Sequence, residues 1–262
     1  MARDFNGSTQ YGQSAINLSA HSKLTVSMWL WIDARSAGSF DMYMELGDGG
    51  IGAGRFAIFD DNTTSIFNIF HRGSTGESSG TFPQLATGQW HHLMFTSDFT
   101  LSTNEVDLYL NGALQTPSSR PANINNASGS TYANTTLNFM SRNAASLHGD
   151  GKQAEVGIWG GVVLNANEAM ALYRGARARD VRPGSLTHHW PMWGNSSPEP
   201  FMVSGGTNLT LTSSPPKANH PPVSLFSRFA RQFEDEAAAT VHSHRKVNNL
   251  RLFAKIGGGL AS

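Results

Sequence analysis

The sequence predicts an all-β fold, a two-sheet antiparallel sandwich with one short helix and a C-terminal extension. Two observations support this class: apolar and polar residues alternate in runs that suit strands, and within residues 1–216 the segment 164–175 is the one that carries helix signals. The 262 residues are 39% hydrophobic and 15% charged, enough apolar material for the core of one large domain. We therefore expect a single sandwich over residues 1–216, followed by a tail over residues 217–262.

The clearest strand pair is a hairpin at residues 105–115. Val106, Leu108 and Leu110 alternate with more polar neighbours, which places the three apolar side chains on one face of a sheet. Asn111-Gly112 follows, and both residue types tolerate the positive φ that a tight turn requires. The sequence thus predicts where this strand ends and where its partner returns.

The strand predicted at residues 24–32 is apolar on one face and carries Trp29 and Trp31 on the other, so we expect both faces to be covered. A second hairpin is predicted from residues 55–59 and 65–70. Further strands are expected at residues 88–96, 135–140, 154–159 and 209–212.

One segment has the features of a helix. Asn165 is a suitable N-cap, Glu168 follows three residues later as in a capping box, and Gly175 is suited to end the helix. The sequence therefore predicts a single short helix between the last strands of the sandwich.

These patterns also carry a family resemblance. Trp90-His91-His92 followed by Val-Asp-Leu-Tyr-Leu-Asn-Gly at 106–112 resembles the laminin-G-like pattern of concanavalin A-like jelly rolls. A strand ending in Trp159, a Leu-x-x-x-Glu-Ala helix and the segment 186–193 are similar to versions found in bacteriophage and bacterial proteins. The resemblance covers roughly residues 5–216 and implies a jelly-roll topology. Sugar-binding modules, adhesion domains, glucanases and virion proteins share that fold, so it implies architecture rather than activity.

Composition argues against several partners. Lys plus Arg and Asp plus Glu each number 19, so no net charge favours nucleic acid or an anionic membrane. The absence of cysteine excludes disulfides and thiolate metal sites. We find no apolar stretch long enough for a signal peptide or a membrane span, so we expect synthesis in the host cytoplasm without a signal peptide and no membrane association.

Catalysis is not expected. Glucanases of the same superfamily use a strand of the form Glu-x-Asp-x-x-Glu, and here Glu105 and Asp107 are followed by Leu110 where the second glutamate should stand. Retaining hydrolysis needs two carboxyl groups about 5–5.5 Å apart. The pairs His91-His92 and His188-His189 cannot easily chelate one ion, because adjacent strand residues point to opposite faces. We expect one histidine of each pair in the core and the other in solvent.

We expect no cofactor, with calcium as the exception that the resemblance raises, since laminin-G-like domains often hold it at the sandwich rim. The oxygen-rich candidates lack the spacing of a defined calcium loop: they are Asp48, Asp60, Asp61 and Asp150.

Sugar binding would need exposed aromatic side chains beside polar loops. The candidates, for each of which core packing is the alternative role, are Trp90, Tyr132, Trp193 and Tyr43.

The tail differs in charge from the sandwich. Residues 1–216 carry a net charge of minus four and residues 217–262 a net charge of plus four. Two apolar clusters follow the Pro-rich break, and such clusters usually need a partner. The residues expected to mediate assembly are Leu225, Phe226, Phe229, Phe233, Leu252 and Phe253.

Together these features predict a non-catalytic structural, decoration or attachment protein of a bacteriophage virion. Its expected partners are other virion or assembly proteins and further copies of itself. The alternative is a carbohydrate-binding module that recognises a cell-surface glycan. The two roles belong to different classes but are compatible with one another.

Overall fold

Two antiparallel sheets face each other across an apolar core in the computed structural model, which describes residues 1–47, 52–74, 76–120, 129–193 and 197–221. In chain order the elements are β1 (Ala2–Asn6), β2 (Tyr11–Asn17), β3 (Lys23–Ala34), β4 (Phe40–Leu46), β5 (Arg55–Asp61), β6 (Ile66–Arg72), β7 (Glu77–Pro83), β8 (Trp90–Asp98), β9 (Val106–Leu110), β10 (Ala113–Leu114), β11 (Asn134–Phe139), β12 (Asp150–Gly160), α1 (Ala166–Tyr173), β13 (Leu186–Trp190), β14 (Thr210–Thr212) and β15 (Lys217–Ala218).

The first sheet has the order β10-β9-β8-β3-β12-β1-β15, and β13 also pairs with β12. The second sheet has the order β14-β2-β11-β4-β5-β6-β7. All strand pairs within these sheets are antiparallel, and both sheets also pair strands that are distant in sequence, such as β3 with β12 and β2 with β11. This arrangement confirms the predicted two-sheet sandwich, with its jelly-roll character, and the single short helix.

Both predicted hairpins are confirmed. β9 turns into β10 through Asn111 and Gly112, whose φ values of 51° and 80° are the two positive values that a tight turn of this kind needs. β5 and β6 are joined by residues 62–65, with Asp61 opposite Ile66 in register. The alternation of side chains and the turn residues therefore located both hairpins correctly.

β3 is covered on both faces, as its sequence predicts. Leu24, Val26 and Met28 lie in the core between the sheets. Trp29 points the other way and packs with Ala154 on the outer face of the first sheet. β3 can bury both faces because α1 and the segments beside it cover much of the outer face.

The helix begins at the predicted cap. The Asn165 side chain accepts hydrogen bonds from the backbone N–H groups of Asn167 and Glu168, and the Glu168 side chain accepts one from the Asn165 N–H. Ala169 and Leu172 are the buried residues of α1, in an apolar cluster with Trp159. The helix thus stabilises the outer face of the first sheet.

The sandwich extends beyond the boundary placed after residue 216. Lys217 and Ala218 form β15 and pair with Arg3 and Ala2 of β1, so they belong to the first sheet rather than to the tail. The six residues expected to mediate assembly, between 225 and 253, lie outside the described residues. Within the described ranges, no helix is long and apolar enough to cross a membrane.

Candidate functional site

A groove of about 170 Å³ lies on the outer face of the second sheet. β4, β5 and β6 provide its floor, and Leu147 from the segment after β11 provides part of its wall. Its lining is largely apolar and aromatic, with several charged side chains. The aromatic and charged side chains of the lining include Phe40, Phe59, Phe70, Glu45, Arg72, Glu77 and Arg142.

The strand period explains why phenylalanines line this groove. In β5, Phe56 and Ile58 point into the core, so Phe59 points outward. In β6, the same alternation turns Phe70 outward. The Phe59 and Phe70 rings meet edge to face at 6.1 Å, and the Phe40 ring meets Phe59 in the same way at 5.8 Å. With 38% of its surface exposed, Phe40 can contact a ligand.

Charged groups that hydrogen-bond to one another line the groove beside these rings. Arg72 donates from Nε and Nη2 to Glu77 Oε2 at 2.9 and 2.6 Å. Glu45 Oε2 accepts a hydrogen bond from the Asn143 N–H at 2.9 Å, and its Oε1 lies 3.8 Å from Arg142 Nε. The groove therefore combines aromatic rings with groups that donate and accept hydrogen bonds, as small-molecule sites do.

The prediction that Tyr43 and Tyr132 can bind sugar is wrong. Tyr43 and Tyr132 are fully buried, so neither ring can stack on a ligand. The Tyr43 hydroxyl donates to Asp60 Oδ2 at 2.7 Å, and the Tyr132 hydroxyl hydrogen-bonds with Ser97 Oγ. Both residues pack in the core and satisfy their hydroxyl groups there, which is the alternative role considered for them.

Trp90 and Trp193 retain exposed surface but do not line the groove. Trp90 lies beside Trp31, with ring centres 5.8 Å apart, on the outer face of the first sheet. The ammonium of Lys152 lies 5.1 Å from the centre of the Trp31 ring. Trp193 follows β13, and 40% of its surface is exposed. Trp31 is thus a half-buried aromatic that was not among the sugar-binding candidates predicted from the sequence.

The candidate calcium ligands have different environments. Asp60 is buried and accepts from Arg35 Nε at 2.7 Å. Asp61, the next residue, points away from the core and accepts hydrogen bonds from Thr63 and Thr64, as turn-capping aspartates do.

Asp150 begins β12, and burial, followed by repulsion from Asp33 and Asp4, raises its pKa. Asp48 is outside the described residues. In the part of the chain that the structure describes, no group of three or more His, Asp and Glu side chains could hold a metal ion.

The expectation of one buried and one exposed histidine in each pair is wrong, because all four are buried. His92 packs 5.2 Å from Trp29 on the outer face, where its Nε2 hydrogen-bonds with Ser27 Oγ at 2.9 Å, and burial lowers its pKa to about 3. His189 Nε2 lies 3.1 Å from Glu155 Oε2. The outer face of the first sheet is itself covered, so both faces of these strands exclude water.

Glu105 does not lie in an open cleft. It is buried, and its Oε2 lies 2.7 Å from His71 Nε2, whose other ring nitrogen hydrogen-bonds with Ser97 Oγ. These groups resemble a serine–histidine–carboxylate set, but all three are enclosed between the sheets. Their role in the described structure is to join β6 to β8 through hydrogen bonds, since no substrate can reach the Ser97 hydroxyl.

The aromatic and charged residues of the groove were not singled out from the sequence. A signal for them exists in the second hairpin, where Phe occurs at both alternating positions of each strand, so one set must face outward. Sequence patterning does not show that β4 and the segment around Arg142 meet this hairpin to form one groove.

Comparison with solved structures shows similarity to several proteins at low sequence identity. A heptameric SAP-like pentraxin from Limulus polyphemus aligns with a TM-score of 0.46 and 12% identity, over 80% of this chain and 94% of that chain. The binding domain of botulinum neurotoxin serotype G aligns with a TM-score of 0.45 and 14% identity, over 66% of this chain and 46% of that one. Mouse laminin α1 domains LG4-5 align with a TM-score of 0.42 and 12% identity, over 60% and 40%.

The chain spans less than half of the last two structures. No curated protein sequence matches the chain. The family model Laminin_G_3, described as the concanavalin A-like lectin/glucanases superfamily, matches residues 6–170, which is more than half of the chain. The chain therefore belongs to this laminin-G-like family of the concanavalin A-like superfamily.

Proposed function

We propose that this chain is a non-catalytic carbohydrate-binding module that holds one sugar ring of a glycan in the groove of the second sheet. The observation that carries the proposal is the combination of three outward phenylalanine rings with adjacent guanidinium and carboxylate groups. Sugar rings present apolar C–H faces and a surrounding set of hydroxyl groups. Aromatic rings suit the former, and charged planar groups suit the latter.

The size of the groove supports this ligand. A cavity of about 150 Å³ in another protein accommodates benzene, so a groove of about 170 Å³ has room for one six-membered ring. Because the groove is open to solvent, the remainder of an oligosaccharide can extend from it. We therefore propose recognition of a single residue, at a chain end or a branch.

Arrangement of the carboxylates supports binding without hydrolysis. Glu105, which occupies the first glutamate position of the glucanase pattern, is buried and hydrogen-bonded to His71. In the groove, Glu77 is hydrogen-bonded to Arg72, and Glu45 accepts from the Asn143 N–H. Because both groove carboxylates already accept hydrogen bonds from groups of the protein, we propose that the module retains its ligand unchanged.

The biological setting that fits such a module is attachment. Glycan binding by a sandwich that is part of a larger particle would bring that particle to a cell surface. The bacteriophage virion expected from the sequence resemblance stays a prediction, as do the virion partners and self-association.

The proposal is tested by screening the full chain on an array of neutral, amino and acidic glycans, followed by calorimetry with the best oligosaccharide. Phe40→Ala removes an exposed ring from the groove and should weaken binding by about tenfold, equal to about 1.4 kcal/mol. Trp193→Ala, which removes an exposed ring outside the groove, is the matched control and should bind as the wild type does. Absence of binding to every glycan, or equal loss in both variants, would contradict the proposal.

A further inference from the structure

The groove of the second sheet is lined by more guanidinium groups than carboxylates. Its charged side chains, among the residues that the structure describes, are Arg55, Arg72, Arg142, Glu45 and Glu77. Arginine stays protonated in proteins, so with both glutamates ionised this described lining carries one positive charge in excess. Residues 1–216 carry a net charge of minus four, so the excess is local to the groove.

Arg72 and Arg142 differ in how closely they are paired and in how much of each side chain solvent reaches. Arg72 donates from two nitrogens to Glu77 Oε2, at 2.9 and 2.6 Å, and 27% of its side chain is exposed. Arg142 Nε lies 3.8 Å from Glu45 Oε1, which is longer than a hydrogen bond, and 40% of the Arg142 side chain is exposed. Of these two arginines, Arg142 is therefore the one that a ligand can approach more readily.

A tight turn fixes the backbone position of Arg142. The Arg142 N–H donates to Ser146 O at 2.8 Å, and the Ser146 N–H donates back to Arg142 O at 3.3 Å. Between them, Asn143 and Ala144 have φ values of 51° and 56°, in the left-handed region that residues other than glycine seldom adopt. Glu45 of β4 accepts a hydrogen bond from the Asn143 N–H and so ties the turn to the sheet. Residues held in such conformations cluster at ligand sites.

We propose that the groove selects a sugar that carries a carboxylate, and that Arg142 recognises this carboxylate. The inference rests on the proposed binding of a sugar ring in the groove, and it names the chemical class of that sugar as uronic or nonulosonic acids. A guanidinium presents parallel N–H donors that match the two oxygens of a carboxylate. The groove carboxylates oppose this ligand only weakly, because 10% of the Glu45 side chain is exposed and Glu77 is hydrogen-bonded to Arg72.

Phe40 and Arg142 would then act on different parts of one ligand. Both residues line the groove, and 38% of the Phe40 surface is exposed. An aromatic ring packs against the apolar C–H face of a sugar whether or not the sugar is charged. The carboxylate adds a charge-assisted contact that a neutral sugar lacks. Loss of the Arg142 guanidinium should therefore remove the preference for an acid and leave the weaker binding of the neutral ring.

The test compares matched ligands by calorimetry with the full chain. The probes are oligosaccharides that end in glucuronic acid or N-acetylneuraminic acid, the methyl esters of both, the glucose-terminated parent and its sulfate ester. Methylation removes the charge and retains the ring, so each acid has its own neutral control. We expect at least one acid to bind about tenfold or more tightly than its ester. Its affinity should fall as sodium chloride is added.

Arg142→Gln removes the charge and retains an amide that can hydrogen-bond. In this variant the acid and its methyl ester should bind within about twofold of each other, because the charge-assisted contact is gone, and the ester should bind as it does to the wild type. Arg179→Gln removes the same charge from an exposed position outside the groove and is the matched control. It should retain the full preference for the acid.

The outcomes separate this inference from the proposed function. If the esters and the neutral parent bind as tightly as the acids, or if the sulfate ester binds more tightly, sugar binding stands and the carboxylate assignment is overturned. A preference that persists in Arg142→Gln, or that disappears equally in Arg179→Gln, overturns the role of Arg142. Absence of binding by both acids also overturns this inference, whereas the proposed function fails only if no glycan of the whole array binds.

Discussion

We expect the free energy of unfolding to fall as the pH falls, because His92 is buried in its neutral form. Its ring is buried between Trp29 and Tyr173, its Nδ1 has no hydrogen-bond partner, and burial lowers its pKa from 6.5 to about 3. The unfolded chain therefore binds one more proton than the folded chain between about pH 6.5 and pH 3, and stability falls as the pH falls through this window. The loss is about 1.4 kcal/mol per pH unit, or about 2.7 kcal/mol from His92 at pH 4.5.

The measurement is urea unfolding of the wild type and of His92→Gln at a series of pH values from 7.5 to 4.5. Carboxylates and other histidines titrate in both proteins, so the difference between the two free-energy curves isolates His92. We expect His92→Gln to be less stable at neutral pH but to lose about 2.7 kcal/mol less over this range.

Ser27→Ala is the control that separates titration from hydrogen bonding. It removes the hydroxyl that pairs with His92 Nε2 and retains the ring. Its stability should be lower at every pH, with the wild-type slope. If His92→Gln retains the full wild-type slope, His92 is already protonated in the folded protein or is exposed to water, and the buried placement described above is refuted.

Three further predictions concern the hairpin, catalysis and the tail. Gly112→Val should destabilise the fold by at least about 1 kcal/mol, because φ is 80° and a Cβ there would lie 3.1 Å from Met170 atoms; an unchanged melting temperature would contradict the turn. The protein should release no reducing ends from mixed β-glucans, whereas release that disappears in Glu105→Gln would demonstrate a glucanase. A chain ending at Pro221 should keep the melting temperature of the full chain and lose self-association by light scattering; retained self-association would place the interface on the sandwich.

The buried pair of Glu105 and His71 illustrates how motif and environment differ. The sequence suggested a comparison with a glucanase strand, and the strand does exist as β9, which begins after Glu105. The Glu105 carboxylate nevertheless lies between the two sheets, where it is hydrogen-bonded to His71 of β6. A motif defines which groups are available in a strand, but the partner sheet decides whether solvent and substrate can reach them.

Local patterns in the sequence were sufficient for most of the secondary structure. The alternation at 106–110, the Asn111-Gly112 turn and the Asn165–Glu168 capping box each depend on residues within a few positions of one another, so they are visible without any tertiary information. The apolar alternation in β3 also showed correctly that both faces of a central strand would be covered. Family membership followed from the order of these same elements.

Tertiary structure alone decided which polar and aromatic side chains are accessible. Tyr43 and His92 look like surface or site residues in sequence, yet Tyr43 faces the core between the two sheets and the segments over the outer face of the first sheet bury His92. The groove and the place of Arg142 in its lining arise from residues brought together by strand register and by segments distant in sequence. Burial depends on the sum of long-range packing around each side chain, and a period of two residues specifies a face of a strand but not what covers it.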